Sequence, residues 1–593
     1  MALRTVFSDT DSQNQPLPEY PRPTMVRESY INLNGTWDYA ITSSADIPKK
    51  YDGKIIVPFS PECERSGVNR QLKPKEYLWY HRTITDPRVD PTEHVLLQFG
   101  AIDQYARIYV NGHFVMSHTG GYLPFTADIT KYLHKKQNSL TILVRDVSDS
   151  SYHSRGKQKL KRGGMFYTAQ SGIWQTVFME CVPATYIQAV KITPNFDDKT
   201  VEVQLHIHKS KLLAYPKTSI TIHLPPHNQT MYFNLEDRVV IPIPDAIAWT
   251  PENPHLYYAT ITCGNDQVNT YFAMRKISVE PDSSGILRLC LNNQPYFQNG
   301  LLDQGYWPES LYTPPSDEAM VYDITTAKKL GYNLLRKHAK IEPERWYYHC
   351  DKLGMLVWQD MVNGGSTYHT WFVTYFPTIF PKLATMVNDN NYYLSSRIHK
   401  KGREEYINEM RATINYLYNH PCIVMWVAFN EGWGQFHTKS ITKKIKRYDP
   451  TRLVDSASGW FDQKCGDVRS LHIYFTPFKF RPQNRALILS EFGGYTLRIP
   501  KHTYCDSTYG YRHYDTKKAL TKAITSTYEK KILPGISKGL SATVYTQVSD
   551  IEDEINGLMT YDRKVIKVDE PKIRTMNQKL YERFSSDTNK TKL

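Results

Sequence analysis

The sequence predicts a multidomain chain: a jelly-roll β-sandwich over residues 1–182, an immunoglobulin-like β-sandwich over 183–281 and a (β/α)8 TIM barrel over 282–593. Three observations predict it. At 593 residues the chain exceeds one ordinary domain. Up to about Glu280 it reads as short alternating strands punctuated by Gly and Pro. After Pro281 strands alternate with helical patterns, and eight candidate strands fall within roughly 300 residues, the size and rhythm of a TIM barrel.

In the first part, Val95–Phe99 and Ala106–Val110 alternate in the manner of half-buried strands. Asn111-Gly112 follows, a dipeptide that tolerates positive φ at both positions and so predicts a hairpin. Thr141–Val144 and Trp174–Glu180 add further strands, which points to a sandwich or jelly roll. In the second part Val201–Ile207 keeps the alternation, broken by prolines at Pro225-Pro226 and Pro251–Pro254. About a hundred residues without a Cys-Trp-Cys pattern predict an immunoglobulin-like sandwich lacking a core disulfide. The barrel strands are expected at Tyr296–Leu301, Asn333–His338, Met355–Asp360, Ile423–Glu431, Leu453–Ser458, Ser470–Phe475, Ala486–Glu491 and Ala542–Ser549. Helices are expected at Ser316–Leu330, Glu342–Leu353, Arg403–Tyr418 and Thr516–Lys531. Ser316, followed by Asp317 and Glu318, suits an N-cap and the positive end of a helix dipole.

Composition narrows the function classes. Aromatic residues make up 13% of the chain, with 43 Tyr and 11 Trp, and sugar faces stack on such rings. The formal charge is +14, densest in Arg155-Gly156-Lys157-Gln158-Lys159-Leu160-Lys161-Arg162. No nucleic-acid-binding module accompanies it, so a solvated basic loop is expected and nucleic acid is not an expected partner. Met1 to Gln15 is polar and lacks the apolar core of a secretory signal, and no run reaches membrane-spanning length. Eight dispersed cysteines without CxxC spacing suit reduced thiols, so a cytoplasmic protein without metal or cofactor is expected.

Chemistry concentrates at two strand ends. His420–Phe429 is an apolar run that stops at Asn430-Glu431, followed by Gly432-Trp433-Gly434. Ala486–Ser490 repeats the design, ending in Glu491-Phe492-Gly493-Gly494. Catalytic groups of (β/α) enzymes sit at the C-terminal ends of strands. Two carboxylates facing one cleft are the minimum equipment for cleaving a glycosidic bond, one as acid/base and one as nucleophile.

These stretches resemble glycoside hydrolase family 2, the β-galactosidases, β-glucuronidases and β-mannosidases. The similarity runs through Leu33-Asn34-Gly35-Thr36-Trp37, Trp79-Tyr80-His81-Arg82, Ser171-Gly172-Ile173-Trp174-Gln175, Asn419-His420-Pro421, Phe429-Asn430-Glu431 and Ser490-Glu491-Phe492-Gly493. It covers nearly the whole chain and implies a sugar-binding jelly roll ahead of a catalytic barrel. It also implies that Glu431 is the general acid/base, Glu491 the nucleophile, and Asn430 the asparagine that binds the sugar 2-hydroxyl. Tyr474 resembles a tyrosine that orients the nucleophile, with His472 on the same strand face by period two. Arg336 matches an arginine near the nucleophile. Trp358 and Asp360 resemble a β-mannosidase segment, with sugar contact and a structural role both open for Asp360. Asp303 falls where many relatives carry an Arg-His pair, Tyr545 where a tryptophan platform is frequent, and Trp433 at the cleft entrance.

The resemblance implies a retaining exo-β-glycosidase acting on a terminal non-reducing sugar. β-Galactosidase-like specificity comes first, with β-mannosidase, pentopyranosidase or β-glucuronidase specificity as alternatives. Two departures bear on the sugar. The Arg-His pair after the first strand is missing, and near Asn556-Gly557-Leu558 there is no Asn-x-Lys to grip a uronic carboxylate. An Asn577-Gln578-Lys579 triplet falls in the expected terminal helix and reads as surface. The rival of another class is a lectin-like protein with a lapsed site. Carbohydrate is the expected partner, and a homo-oligomer stays open.

Overall fold

The computed structural model describes residues 3–8, 15–209, 218–222, 228–233 and 238–588; Pro225-Pro226 and part of the polar N-terminal segment lie outside them. The first sandwich packs a six-stranded antiparallel sheet on a four-stranded one. Alternate side chains such as Ile108, Val110, Ile142 and Val144 fill the space between the two sheets. The expected hairpin forms: Asn111 and Gly112, both at positive φ, join Tyr105–Val110 to His113–Thr119. In the second sandwich Tyr186–Asn195, Thr200–His208 and Val239–Pro242 face a four-stranded sheet containing Tyr257–Cys263 and Asp266–Phe272. Its core is mainly aliphatic, with Tyr257 and Phe272 among it, and all eight cysteines of the chain are free thiols.

The barrel strands are β1 (Gln298–Asp303), β2 (Leu334–Lys337), β3 (Leu356–Asp360), β4 (Ile423–Val427), β5 (Leu453–Asp455), β6 (Val468–Ile473), β7 (Ala486–Gly493) and β8 (Leu540–Thr546). They form one parallel sheet in the order β5-β4-β3-β2-β1-β8-β7-β6, with no ladder between β5 and β6 among the described residues. Strands β3, β4, β7 and β8 are buried at every position, as a sheet covered on both faces requires. Each expected strand is present.

The main barrel helices are α1 (Asp317–Lys329), α2 (Glu344–Leu353), α3 (Lys400–Leu417), α4 (Thr438–Tyr448), α5 (Lys517–Thr527) and α6 (Glu570–Thr588). Ser316 caps α1 by accepting from the Ala319 N–H, and Thr516 caps α5 by accepting from Ala519. No helix among the described residues is long and apolar enough to cross a membrane.

The structure corrects two expectations. Asn577 is buried, not superficial. It follows Ile573 by four residues on the α6 stripe that packs against the barrel. There its amide donates to the Leu330 carbonyl at 2.9 Å and accepts from Asn299 at 2.8 Å. The basic stretch 155–162 is also not a freely solvated loop, since it docks on the barrel mouth. Arg155 is buried and donates to the Gly365 carbonyl at 2.6 Å, and Arg162 pairs with Asp553 at 2.6 Å. Local charge density registered the cations but not the carbonyls and carboxylates that another part of the chain brings to them.

Candidate active site

Strand β4 carries the chain to Glu431, which sits at φ 53° with Gly432 at φ 77° behind it. A left-handed non-glycine residue is uncommon and costs energy, so surrounding contacts must hold it. Here the Glu431 N–H donates to the Ser458 carbonyl at 2.9 Å, tying the end of β4 to the segment after β5. A Cβ on Gly432 would meet the Phe461 ring at 2.4 Å, so this turn requires glycine. Strand β7 carries Glu491, whose neighbour Phe492 faces the outer packing layer.

One oxygen of Glu431, one ring nitrogen of His472 and one oxygen of Glu491 all lie within 4.8 Å of one another. His472 Nδ1 is 2.8 Å from Glu431 Oε1 and 3.8 Å from Glu491 Oε2, while its Nε2 meets Ser458 Oγ at 2.9 Å. Gly459 makes room for this ring, because a Cβ there would stand 2.4 Å from it. The Tyr474 hydroxyl donates to Glu491 Oε2 at 2.6 Å and lies 2.9 Å from Thr546 Oγ1. Burial, then the Glu491 charge, raises the Tyr474 pKa well above its ordinary value, so the phenol stays a donor.

Arg336, on β2, organises the floor of the site. Its guanidinium is fully buried and forks onto both oxygens of Asp360 at 3.0 Å. It also donates to Glu491 Oε1 at 2.9 Å and to the Asn430 side-chain oxygen at 2.9 Å. Such planar, bidentate recognition suits arginine rather than lysine. Burial opposes the charge on Glu491, but His472, Arg336, His338 and Lys157 outweigh it and hold the carboxyl down at about 2. Glu491 is therefore ionised at neutral pH.

The other sequence-predicted residues divide. Trp433 lines the cleft, stacked on Phe166 with ring centroids 5.6 Å apart. Asp360 is spent on Arg336 and on His338 Nδ1 at 2.6 Å, so it supports the arginine rather than meeting a ligand. Trp358 is fully buried in the barrel interior, donating to Gln298. Asp303 faces outward to the buried Lys337 at 2.8 Å, because Lys337 alternates with the inward-facing Arg336. Tyr545 packs against Phe492, Tyr495 and Gly493 and provides no platform.

Four contributors escape the sequence reading. His338, two residues after Arg336, was detectable by period two. Thr546 was detectable the same way from β8. Lys157 and the cleft-lining residues between 368 and 385, Tyr368 and Tyr375 among them, were not, since nothing local links them to the site. Lys157 comes from the docked loop of the first sandwich. Its ammonium stands 5.9 Å from the Trp433 ring centroid and has no hydrogen bond or ion pair among the described residues.

The cleft itself encloses about 500 Å³ and is walled by aromatic rings, among them Trp433, Trp460, Tyr509 and Tyr511. Glu431, His472 and Glu491 are close enough together to ligate a single cation. Both oxygens of Glu491 already accept hydrogen bonds from Arg336 and Tyr474, an arrangement suited to an anionic nucleophile.

Three family models match the chain in succession. "Glycosyl hydrolases family 2, sugar binding domain" matches residues 65–183, "Glycosyl hydrolases family 2" matches 185–275, and "Glycosyl hydrolases family 2, TIM barrel domain" matches 315–487. A β-galactosidase of Leuconostoc mesenteroides is 25% identical over 406 residues, covering 64% of this chain but 35% of that protein. The chain thus spans about a third of that relative's length. A β-glucuronidase of Canis lupus familiaris is 22% identical over 562 residues, covering 81% of this chain and 79% of that protein. The solved structure of an uncultured Clostridium sp. β-glucuronidase has the same fold, with a TM-score of 0.71 at 17% identity over 96% of this chain and 99% of that one. With the three models in sequence order on a sandwich–sandwich–barrel fold, and paired glutamates at the ends of β4 and β7, the chain belongs to glycoside hydrolase family 2.

Proposed function

We propose that the protein is a retaining exo-β-glycosidase that removes a terminal non-reducing β-linked sugar. One observation carries the reading: an oxygen of Glu431 and an oxygen of Glu491 lie within 4.8 Å across one cleft. Retaining enzymes hold their carboxyl groups about 5–5.5 Å apart, whereas inverting enzymes leave about 6.5–9.5 Å for a water. In the first step a Glu491 oxygen attacks the anomeric carbon, the bond from that carbon to the glycosidic oxygen breaks, and Glu431 gives its proton to the departing oxygen. In the second step Glu431 takes a proton from water, whose oxygen displaces Glu491 and frees the sugar. His472 holds the Glu431 carboxyl, while Arg336 and Tyr474 fix both oxygens of the nucleophile. Asn430, anchored by Arg336, is the partner for the sugar 2-hydroxyl.

For the sugar, a galactoside is the first expectation. A uronide is a second reading, supported by the unpaired Lys157 ammonium, which acts electrostatically on Glu491. A panel of para-nitrophenyl β-glycosides, run with Glu491→Gln as the blank, tests both. Release of nitrophenol from one sugar only by the native protein supports the reading. No turnover, with glycan binding retained, would move the protein to the lectin-like class.

A further inference from the structure

Beyond the catalytic pair, the cleft wall carries Lys159, Lys382, Arg469 and Lys479. None of these four cations has an ion pair among the described residues. Lys159 lies 3.7 Å from the Phe166 ring centroid, and Arg469 donates to Gln483. The acidic residues of the same wall are Glu431, held by His472, and Asp462, whose two oxygens are taken by Arg485. Cations along a cleft elsewhere neutralised would repel one another without a partner, and a groove walled by low-dielectric rings concentrates their field.

We infer that the part of the substrate beyond the scissile bond is an acidic oligosaccharide, whose carboxylate or sulfate groups pair with Lys382, Arg469 and Lys479. This rests on the glycosidase reading and adds to it the chemical class of the leaving portion. Part of the +14 charge would then serve to draw a polyanionic glycan into the cleft. The aromatic walls supply stacking for the sugar rings, and the cations supply the discrimination between acidic and neutral chains.

The test reads binding rather than turnover. Calorimetry on the Glu491→Gln protein compares three oligomers of equal length: oligogalacturonate, sulfated dextran and neutral dextran. At low salt at least one acidic oligomer should bind about tenfold or more tightly than the neutral one, and the preference should collapse near 0.5 M NaCl. The combined Lys382→Gln, Arg469→Gln and Lys479→Gln changes should remove that preference. The combined Lys439→Gln, Lys443→Gln and Arg447→Gln changes, which remove equal charge from the exposed face of α4, should leave it intact. Should the first triple variant fail to fold, the exposed Lys479→Gln alone should weaken acidic binding about threefold.

The carboxylate and sulfate arms identify which anion is preferred. Equal binding of acidic and neutral oligomers, or equal losses in the two triple variants, would overturn the inference. Failure of the aryl-glycoside panel would instead overturn the glycosidase reading and leave this binding result standing.

Discussion

His472 hydrogen-bonds Glu431, with Nδ1 2.8 Å from Oε1. The ring's other nitrogen is held by Ser458, so the imidazole reaches the carboxyl with its orientation already set. On the proposed glycosidase reading, His472 is a positioning residue for Glu431. His472→Ala should lower kcat about 10–100-fold on glycosides with poor leaving groups, with a smaller effect where the leaving group needs no proton. A Brønsted plot over aryl leaving groups checks this, and a uniform loss across the series would count against the role.

Replacement of the two glutamates should have unequal consequences. Glu491→Gln should abolish turnover of every substrate, because no covalent step remains. Glu431→Ala should cost about 10²–10⁴-fold on alkyl glycosides and spare the first step with activated aryl glycosides. Pre-steady-state bursts of nitrophenol separate the steps.

On the proposed glycosidase reading, Arg336 should set the acid limb of activity. Glu491 is held at about 2 in the folded protein, burial being outweighed by His472, Arg336 and their neighbours. A depressed carboxyl contributes stability that is present above the unfolded value and is lost as pH falls toward the folded one. Glu491 should therefore stay ionised in the folded protein down to about 2, while its contribution to stability, full above about 4.5, is lost progressively as pH falls from there toward about 2. Arg336→Met should shift the acid limb of kcat/KM upward in pH. It should also destabilise the protein by about 3–5 kcal/mol, since Asp360 and Glu491 lose a buried partner. An acid limb unchanged by the substitution would contradict this.

Lys157 should set the preference between charged and neutral sugars. Lys157→Met should reduce kcat/KM on a β-uronide about tenfold or more relative to the matching neutral hexoside if the uronide reading holds. Equal effects on both sugars would assign the ammonium to support of Glu491 instead.

Asn577 tests the packing of α6. Asn577→Ala leaves the Leu330 carbonyl and the Asn299 amide without this partner, so a loss of about 1–3 kcal/mol is expected. A surface asparagine would give less than about 0.5 kcal/mol. Thermal unfolding of the two proteins decides between them.

What the sequence determined by itself was periodic or abrupt. Apolar runs of strand length alternating with helical stretches specify the barrel, because burial on both faces demands unbroken hydrophobic strands. A carboxylate at the end of such a run, as at Glu431 and Glu491, is legible for the same reason: the pattern breaks where the strand meets the cleft. Of the partners of those carboxylates, His472 was legible from a strand's period of two, and Arg336 and Tyr474 only through the family resemblance. Asp303 and Tyr545 lie at strand ends too, yet they face Lys337 and Phe492 in the outer layer. The tertiary structure alone decided these, along with Lys157, which arrives from a different sandwich. A charge finds its role through whatever stands within a few ångströms of it, and in this chain those neighbours lie from 17 residues away, as with Tyr474 and Glu491, to 155, as with Arg336 and Glu491.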